Sequence, residues 1–290
     1  MRQSLLTIII LSFFSIRTDA QILYECTSQN GDTVFYVFGT CHRLPSKAKV
    51  DTLTMSRLIR SSDVIFSELF VDDGDTSYKR VASKLNEKMR YKNNGSLKDS
   101  VTKEQYEKLM NYYRRNYGVS KKEFRWATYD LPLRMDSRLR YSSKKYYSLD
   151  FILYSIARRS SKIIKNLDNE ELLYNAYSYL LSEFDTRWLI NKIEGRNIRG
   201  VDTDTFIQLY LQKDTVAINR FHKPSLMHQK ILINDRNKHW FTIIERNAGR
   251  TNFIYCGLAH LISGELSLLN YFKRRQFAVK AIEIDIADSP

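Results

Sequence analysis

Thr33-Val34-Phe35-Tyr36-Val37-Phe38-Gly39-Thr40-Cys41-His42 stands near one end of this chain, and Asn252-Phe253-Ile254-Tyr255-Cys256-Gly257-Leu258-Ala259-His260 repeats its plan near the other. Each is a run of β-branched and aromatic residues that ends in Gly-x-x-His. Such runs favour strands, and a glycine lets the backbone turn where a side chain would obstruct it. The residues after each motif suit a helix. The chain holds ten glycines and five histidines, so one Gly-x-x-His is unremarkable. Two in matched strand–turn settings are the signal. They predict an α/β fold that brings two imidazoles to one edge of a sheet.

Working outward from the first motif, Lys49 to Arg60 has helical spacing (Leu53, Met55, Leu58, Ile59), and Asp63-Val64-Ile65-Phe66-Ser67-Glu68-Leu69 reads as a buried strand. Glu68 falls near the end of that apolar run. A carboxylate there is costly unless paired, so it is either salt-bridged to Arg or Lys or used chemically. Outward from the second motif, a helix is expected over Leu261 to Lys273 and a last strand over Ala278 to Ile284. A long helix is expected over Leu226 to Arg246, carrying Asp235-Arg236-Asn237 and Trp240. Charged and amide groups within a helix are ordinarily surface residues.

The middle of the chain is poor in glycine and helical in spacing. Helices are expected over Thr102 to Tyr117, over Leu149 to Arg159, and through Leu172, Leu173, Ala176, Tyr177 and Leu180 to about Phe184. Asp168 with Glu171 has the spacing of a capping box for the last of these. Short strands are expected at Lys162–Leu167 and Asn197–Val201. The fold class is therefore α/β: a central mixed sheet built from N- and C-terminal segments around a large helical insertion, roughly residues 77–250.

The first twenty residues have the plan of an export signal. Arg2 is followed by an apolar run from Leu5 to Phe14, and Thr18-Asp19-Ala20 supplies a small-x-small cleavage site. The expectation is a signal peptide at 1–20 and one domain at 21–290, exported to the periplasm or beyond. A net charge of +14 invites a nucleic-acid reading, but the basic residues are dispersed and an exported protein rarely meets nucleic acid. No nucleic-acid partner is expected, and the charge suits peripheral association with an anionic envelope surface. Cys41 and Cys256 each adjoin a motif. They form either a disulfide or two small buried residues, the second preferred, with Cys26 left over.

Two histidines and a carboxylate at strand ends suit a divalent cation, and ligands bind α/β sheets beyond the carboxyl ends of their strands. His42, Glu68 and His260 are the candidate metal ligands. Helix starts after each motif would place both imidazoles near positive dipole ends and keep them neutral. A centre with open positions would polarise a carbonyl and acidify bound water. Glu68 serves as ligand or as general base, and the pattern leaves both open. Rival schemes are weaker: there is no Gly-x-Ser-x-Gly elbow, no phosphate-binding glycine loop, and Cys41 is adjacent to His42, so the two point apart.

These residues resemble the TraB/PrgY/GumN family, which includes the Tiki metalloproteases that act on Wnt proteins. The resemblance rests on Gly39–His42, Gly257–His260, Glu68 in Phe66-Ser67-Glu68-Leu69, Leu149-Asp150 with Ala157, Lys162 to Asp168, and Asp235-Arg236-Asn237. The family shows Glu where Asp168 stands, and an apolar or hydroxyl residue at the position of Cys41. The resemblance implies a fold like that of erythromycin-esterase and ChaN-like proteins. It also implies metal-dependent peptide hydrolysis with manganese or cobalt, zinc being a further candidate, and a peptide or protein substrate. Arg236 and Asn237 would orient substrate or stabilise an oxyanion. The alternative is a non-catalytic peptide-binding or sequestering protein, like the pheromone-shutdown branch of the family.

Overall fold

A computed structural model of the chain describes residues 21–68, 76–125, 146–196, 203–221 and 225–288. Its strands are β1 (Leu23–Thr27), β2 (Val34–Thr40), β3 (Leu44–Pro45), β4 (Ala48–Val50), β5 (Val64–Ser67), β6 (Tyr146–Tyr147), β7 (Ile163–Asn166), β8 (Thr251–Gly257), β9 (Ala278–Ala281) and β10 (Ile286–Asp288). Six of them form one mixed sheet in the order β7-β5-β8-β2-β1-β9. The strands β7, β5, β8 and β2 are parallel neighbours, whereas β1 is antiparallel to both β2 and β9. Parallel strands covered on both faces require continuous apolar sequence. Val37, Phe38, Ile65, Phe66, Phe253, Ile254 and Tyr255 meet that requirement and are buried.

The parallel register brings the two motifs side by side. Phe38 lies opposite Tyr255, Gly39 opposite Cys256 and Thr40 opposite Gly257, so the two Gly-x-x-His phrases are adjacent but offset by one residue. Ser67 lies opposite Tyr255 on the other side, which puts Glu68 at the same edge. The central strands thus come from both ends of the chain. The middle segment adds β7 at the sheet edge, and its helices also pack small cores of their own, one around Leu97, Leu109, Tyr113 and Phe124.

Several local expectations give way. No helix follows the first motif directly. The chain makes β3 and β4, each paired with a distant partner, and helix begins only at Thr52, capped by Asp51 accepting from the Thr54 N–H. The helix expected over Leu261 to Lys273 is two helices, Leu258–Ile262 and Leu268–Arg274. The break between them holds Gly264 at φ +75° and the new N-cap Ser267, which accepts from Asn270. The last strand stops at Ala281, and the chain resumes as β10 against β4 instead of continuing in the sheet. Leu226 to Asn247 is helical throughout, but Gln229–Asn234 is wound as a π-helix. The strand expected at Asn197–Val201 and the segment 1–20 lie outside the described residues. Among the described residues no helix is long and apolar enough to cross a membrane.

Asp168 does not cap a helix. Asn169 takes that position, and its side chain accepts from the Leu172 N–H at 2.9 Å. The Asp168 side chain turns inward and is fully buried. One residue of displacement at the cap is enough to convert an expected surface carboxylate into a core one.

Candidate functional site

Glu68 leaves the end of β5 and is buried. Its Oε2 accepts the Gly257 N–H at 2.6 Å and stands 3.8 Å from His42 Nε2. Its Oε1 accepts from Arg236 Nη2 at 2.6 Å and stands 3.5 Å from His260 Nε2. Both motif histidines therefore turn the same ring nitrogen toward one carboxylate. Gly257 makes room for this. A Cβ there would lie 2.9 Å from His42 Nε2 and 3.2 Å from Glu68 Oε2.

The two imidazoles live in different surroundings. His260, in the short Leu258–Ile262 helix, is buried. It stacks on Trp240 with centroids 4.2 Å apart. Its Nδ1 is 2.6 Å from Asn237 Oδ1, and the Asn237 amide is oriented by donating to the carbonyls of His260 and Leu266. His260 Nε2 meets Arg236 Nη1 at 2.9 Å. A guanidinium can only donate, so Nε2 is the unprotonated nitrogen and Nδ1 carries the hydrogen. Burial, and then the Arg236 cation, depress the pKa of His260; they favour the neutral ring in place of the helix dipole expected from the sequence, since His260 lies in the last turn of its short helix. His42 by contrast sits in the loop after β2, half-exposed at 50% of its side chain, with Nδ1 2.8 Å from Asp150 Oδ2. It does not start a helix of its own.

Arg236 ties the cluster together. Its Nε and Nη2 grip Asp168 at 3.1 and 2.6 Å, Nη2 also reaches Glu68, and Nη1 reaches the Leu232 carbonyl and His260. Trp240 donates its indole N–H to Asp168 at 2.8 Å and lies under the guanidinium at 5.1 Å. Burial alone would raise the pKa of Glu68. The charge of Arg236, with His260 and His42, outweighs it and holds the carboxyl well below the usual range. A buried cation at bonding distance is what allows Glu68 to stay ionised inside the fold.

Arg236, Asn237 and Trp240 are thus core residues, not the surface helix face that their polarity suggests. Every N–H of Arg236 and of the Asn237 amide is committed inside the protein. Their geometry suits holding His260 and Glu68 in place more than contacting a substrate. Sequence reasoning gave Asp150 no role of its own and placed Asp168 at a cap. An acidic residue at a helix start is already accounted for by the helix dipole, so the linear pattern carried no separate signal for either.

The cysteines are free and buried. The Cys41 thiol donates to the Arg43 carbonyl at 3.3 Å, and burial pushes its pKa up to about 12. A buried, protonated thiol of that kind is unsuited to nucleophilic attack.

The profile of the TraB/PrgY/gumN family matches residues 22–281, nearly the whole chain. The chain belongs to the TraB/PrgY/gumN family. No curated protein and no solved structure matches it, so the α/β architecture stands on its own sheet order and not on likeness to erythromycin-esterase or ChaN-like folds. Within this TraB/PrgY/gumN domain, the two Gly-x-x-His motifs, the strand-end glutamate, Asp168 and the Arg236-Asn237 pair all meet at one sheet edge.

The donor types, two imidazole nitrogens each within 4 Å of one carboxylate, are those a divalent cation takes, and they stand beside a glycine cradle that a Cβ would fill. Among the described residues, however, no three His, Cys, Asp or Glu side chains are arranged to hold one. Arg236 instead donates to both His260 and Glu68, through Nη1 and Nη2. The single lone pair of His260 Nε2 serves either Arg236 or an ion, not both.

Proposed function

We propose that this family member is an exported, metal-dependent hydrolase acting on peptides. The observation that carries the reading is the approach of both motif histidines, through Nε2, to the one buried carboxylate of Glu68. His42, Glu68 and His260 would hold the ion, manganese or cobalt before zinc. When bound, the ion would polarise a substrate carbonyl and acidify water. The rest falls to the chain itself. Arg236 keeps Glu68 ionised, Asn237 keeps the His260 hydrogen on Nδ1, and Trp240 fixes the plane of that ring. Half-exposed His42 marks the side from which substrate approaches. Ligation by His260 requires Arg236 to release Nε2 while keeping its two-point hold on Asp168. Export is supported by the signal-like run at 1–20.

One feature favours the binder instead. The polar cluster around Arg236 is internally satisfied, as in a structural ion-pair network. The two readings separate by metal analysis coupled to cleavage of a peptide library. The hydrolase reading expects stoichiometric manganese, cobalt or zinc that is lost in His42→Ala, and cleavage that is lost in Glu68→Gln. Peptide binding with neither metal nor cleavage would give the site to the non-catalytic reading.

A further inference from the structure

The two motif histidines are anchored alike, through Nδ1, but by chemically different partners. His260 has the neutral amide oxygen of Asn237. His42 has the carboxylate of Asp150, a residue of the first turn of the Leu149–Arg159 helix and far away in sequence. An ionised carboxylate only accepts, so at 2.8 Å the His42 hydrogen must sit on Nδ1. Nε2 is then the nitrogen that faces Glu68. Asp150 is itself held. Its Oδ1 accepts from the Thr40 hydroxyl at 2.8 Å and its Oδ2 from the Ser148 hydroxyl at 3.2 Å. Thr40 is the last residue of β2, two positions before His42. Asp150 thus clamps the strand end and the imidazole together.

We propose that Asp150 is a positioning residue that fixes the Nδ1–H tautomer of His42 and aims its Nε2 at Glu68. The purpose of this device rests on the hydrolase reading above; its geometry does not. His260 is buried, stacked on Trp240 and bonded at both nitrogens. His42 sits in a half-exposed loop, where burial does little to fix the ring. Its orientation must come from a specific contact. A carboxylate behind an imidazole also raises its basicity as a ligand, which an amide does less. The pair is therefore asymmetric: His42 is the stronger donor and His260 the more rigid one.

The test is histidine tautomer assignment by long-range proton–nitrogen NMR on the full chain, stripped of metal and held well above the ordinary histidine pKa. His42 is identified by the signal missing in His42→Ala. In the wild type, His42 and His260 should both show Nδ1–H. Asp150→Leu should move His42 to Nε2–H and leave His260 unchanged. The same variant should weaken manganese binding by about 10- to 100-fold, a loss that a merely structural role for Asp150 does not attach to His42 alone. Should the leucine variant fail to fold, Asp150→Ala keeps the helix start and tests the same point. The inference is overturned by Nε2–H at His42 in the wild type, or by Nδ1–H persisting in the folded variant. Wild-type Nδ1–H together with no manganese binding would support the positioning role and remove the metal reading.

Discussion

Arg236 and Asp168 form a buried two-point ion pair, Nε to Oδ1 at 3.1 Å and Nη2 to Oδ2 at 2.6 Å, between the end of β7 and the Asp235–Asn247 helix. The same guanidinium bonds Glu68. Removing it strands two carboxylates in the core. Arg236→Met should destabilise the fold by about 3–5 kcal/mol, measured by urea unfolding. A loss under ~1 kcal/mol would mean that the carboxylates find other partners or that water enters.

Gly39 and Gly257 predict opposite kinds of damage. A Cβ at Gly39 would meet Leu258 Cδ1 at 2.5 Å and its Cα at 3.2 Å, so Gly39→Ala presses two packed segments apart and should cost about 1–3 kcal/mol. A Cβ at Gly257 points at His42 and Glu68 instead. Gly257→Ala should melt closer to wild type yet, on the proposed hydrolase reading, lose metal binding and hydrolysis. Equal melting losses with site function intact in both would contradict this division.

The thiols of Cys26 and Cys41 are pushed up to about 12, and that of Cys256 well above its ordinary value, in each case chiefly by burial. A thiol reagent at mildly alkaline pH should find none of the three reactive in the native protein and all three after denaturation. Rapid labelling of Cys41 in the folded state would count against the assigned packing.

Two groups should give the fold an acid limb in two stages. Burial and Arg236 lower the folded pKa of His260 below its ordinary 6.5, so the unfolded chain takes up a proton there before the native one does. Stability is full above that value and declines as pH falls toward the depressed one. Glu68 behaves likewise below 4.5. Burial opposes its ionisation, and Arg236 with both histidines overcomes that opposition, so its contribution is lost as pH drops through the lowered folded value. Unfolding free energy against pH should therefore bend near 6.5 and again near 4.5. In Glu68→Gln the lower stage should flatten; an unchanged lower stage would take the carboxylate out of the account.

By itself the sequence determined the four parallel strands of the sheet, three helices of the middle segment and the identity of the edge where the motifs end. Alternation, apolar runs and glycine positions are local properties, and β2, β5, β7 and β8 could be read from them. It also nominated His42, Glu68 and His260, because a polar group at the end of an apolar strand has few uses. Only the tertiary structure decided what each polar residue touches. Asp150 lies 108 residues from His42 and Asp168 lies 68 from Arg236, and in the linear chain both acids sit where a helix start already explains them. Burial reversed the reading of Arg236 and Asn237 for the same reason. Whether a charge on a helix faces water or a buried carboxylate depends on what packs against that face, and residue spacing does not encode it.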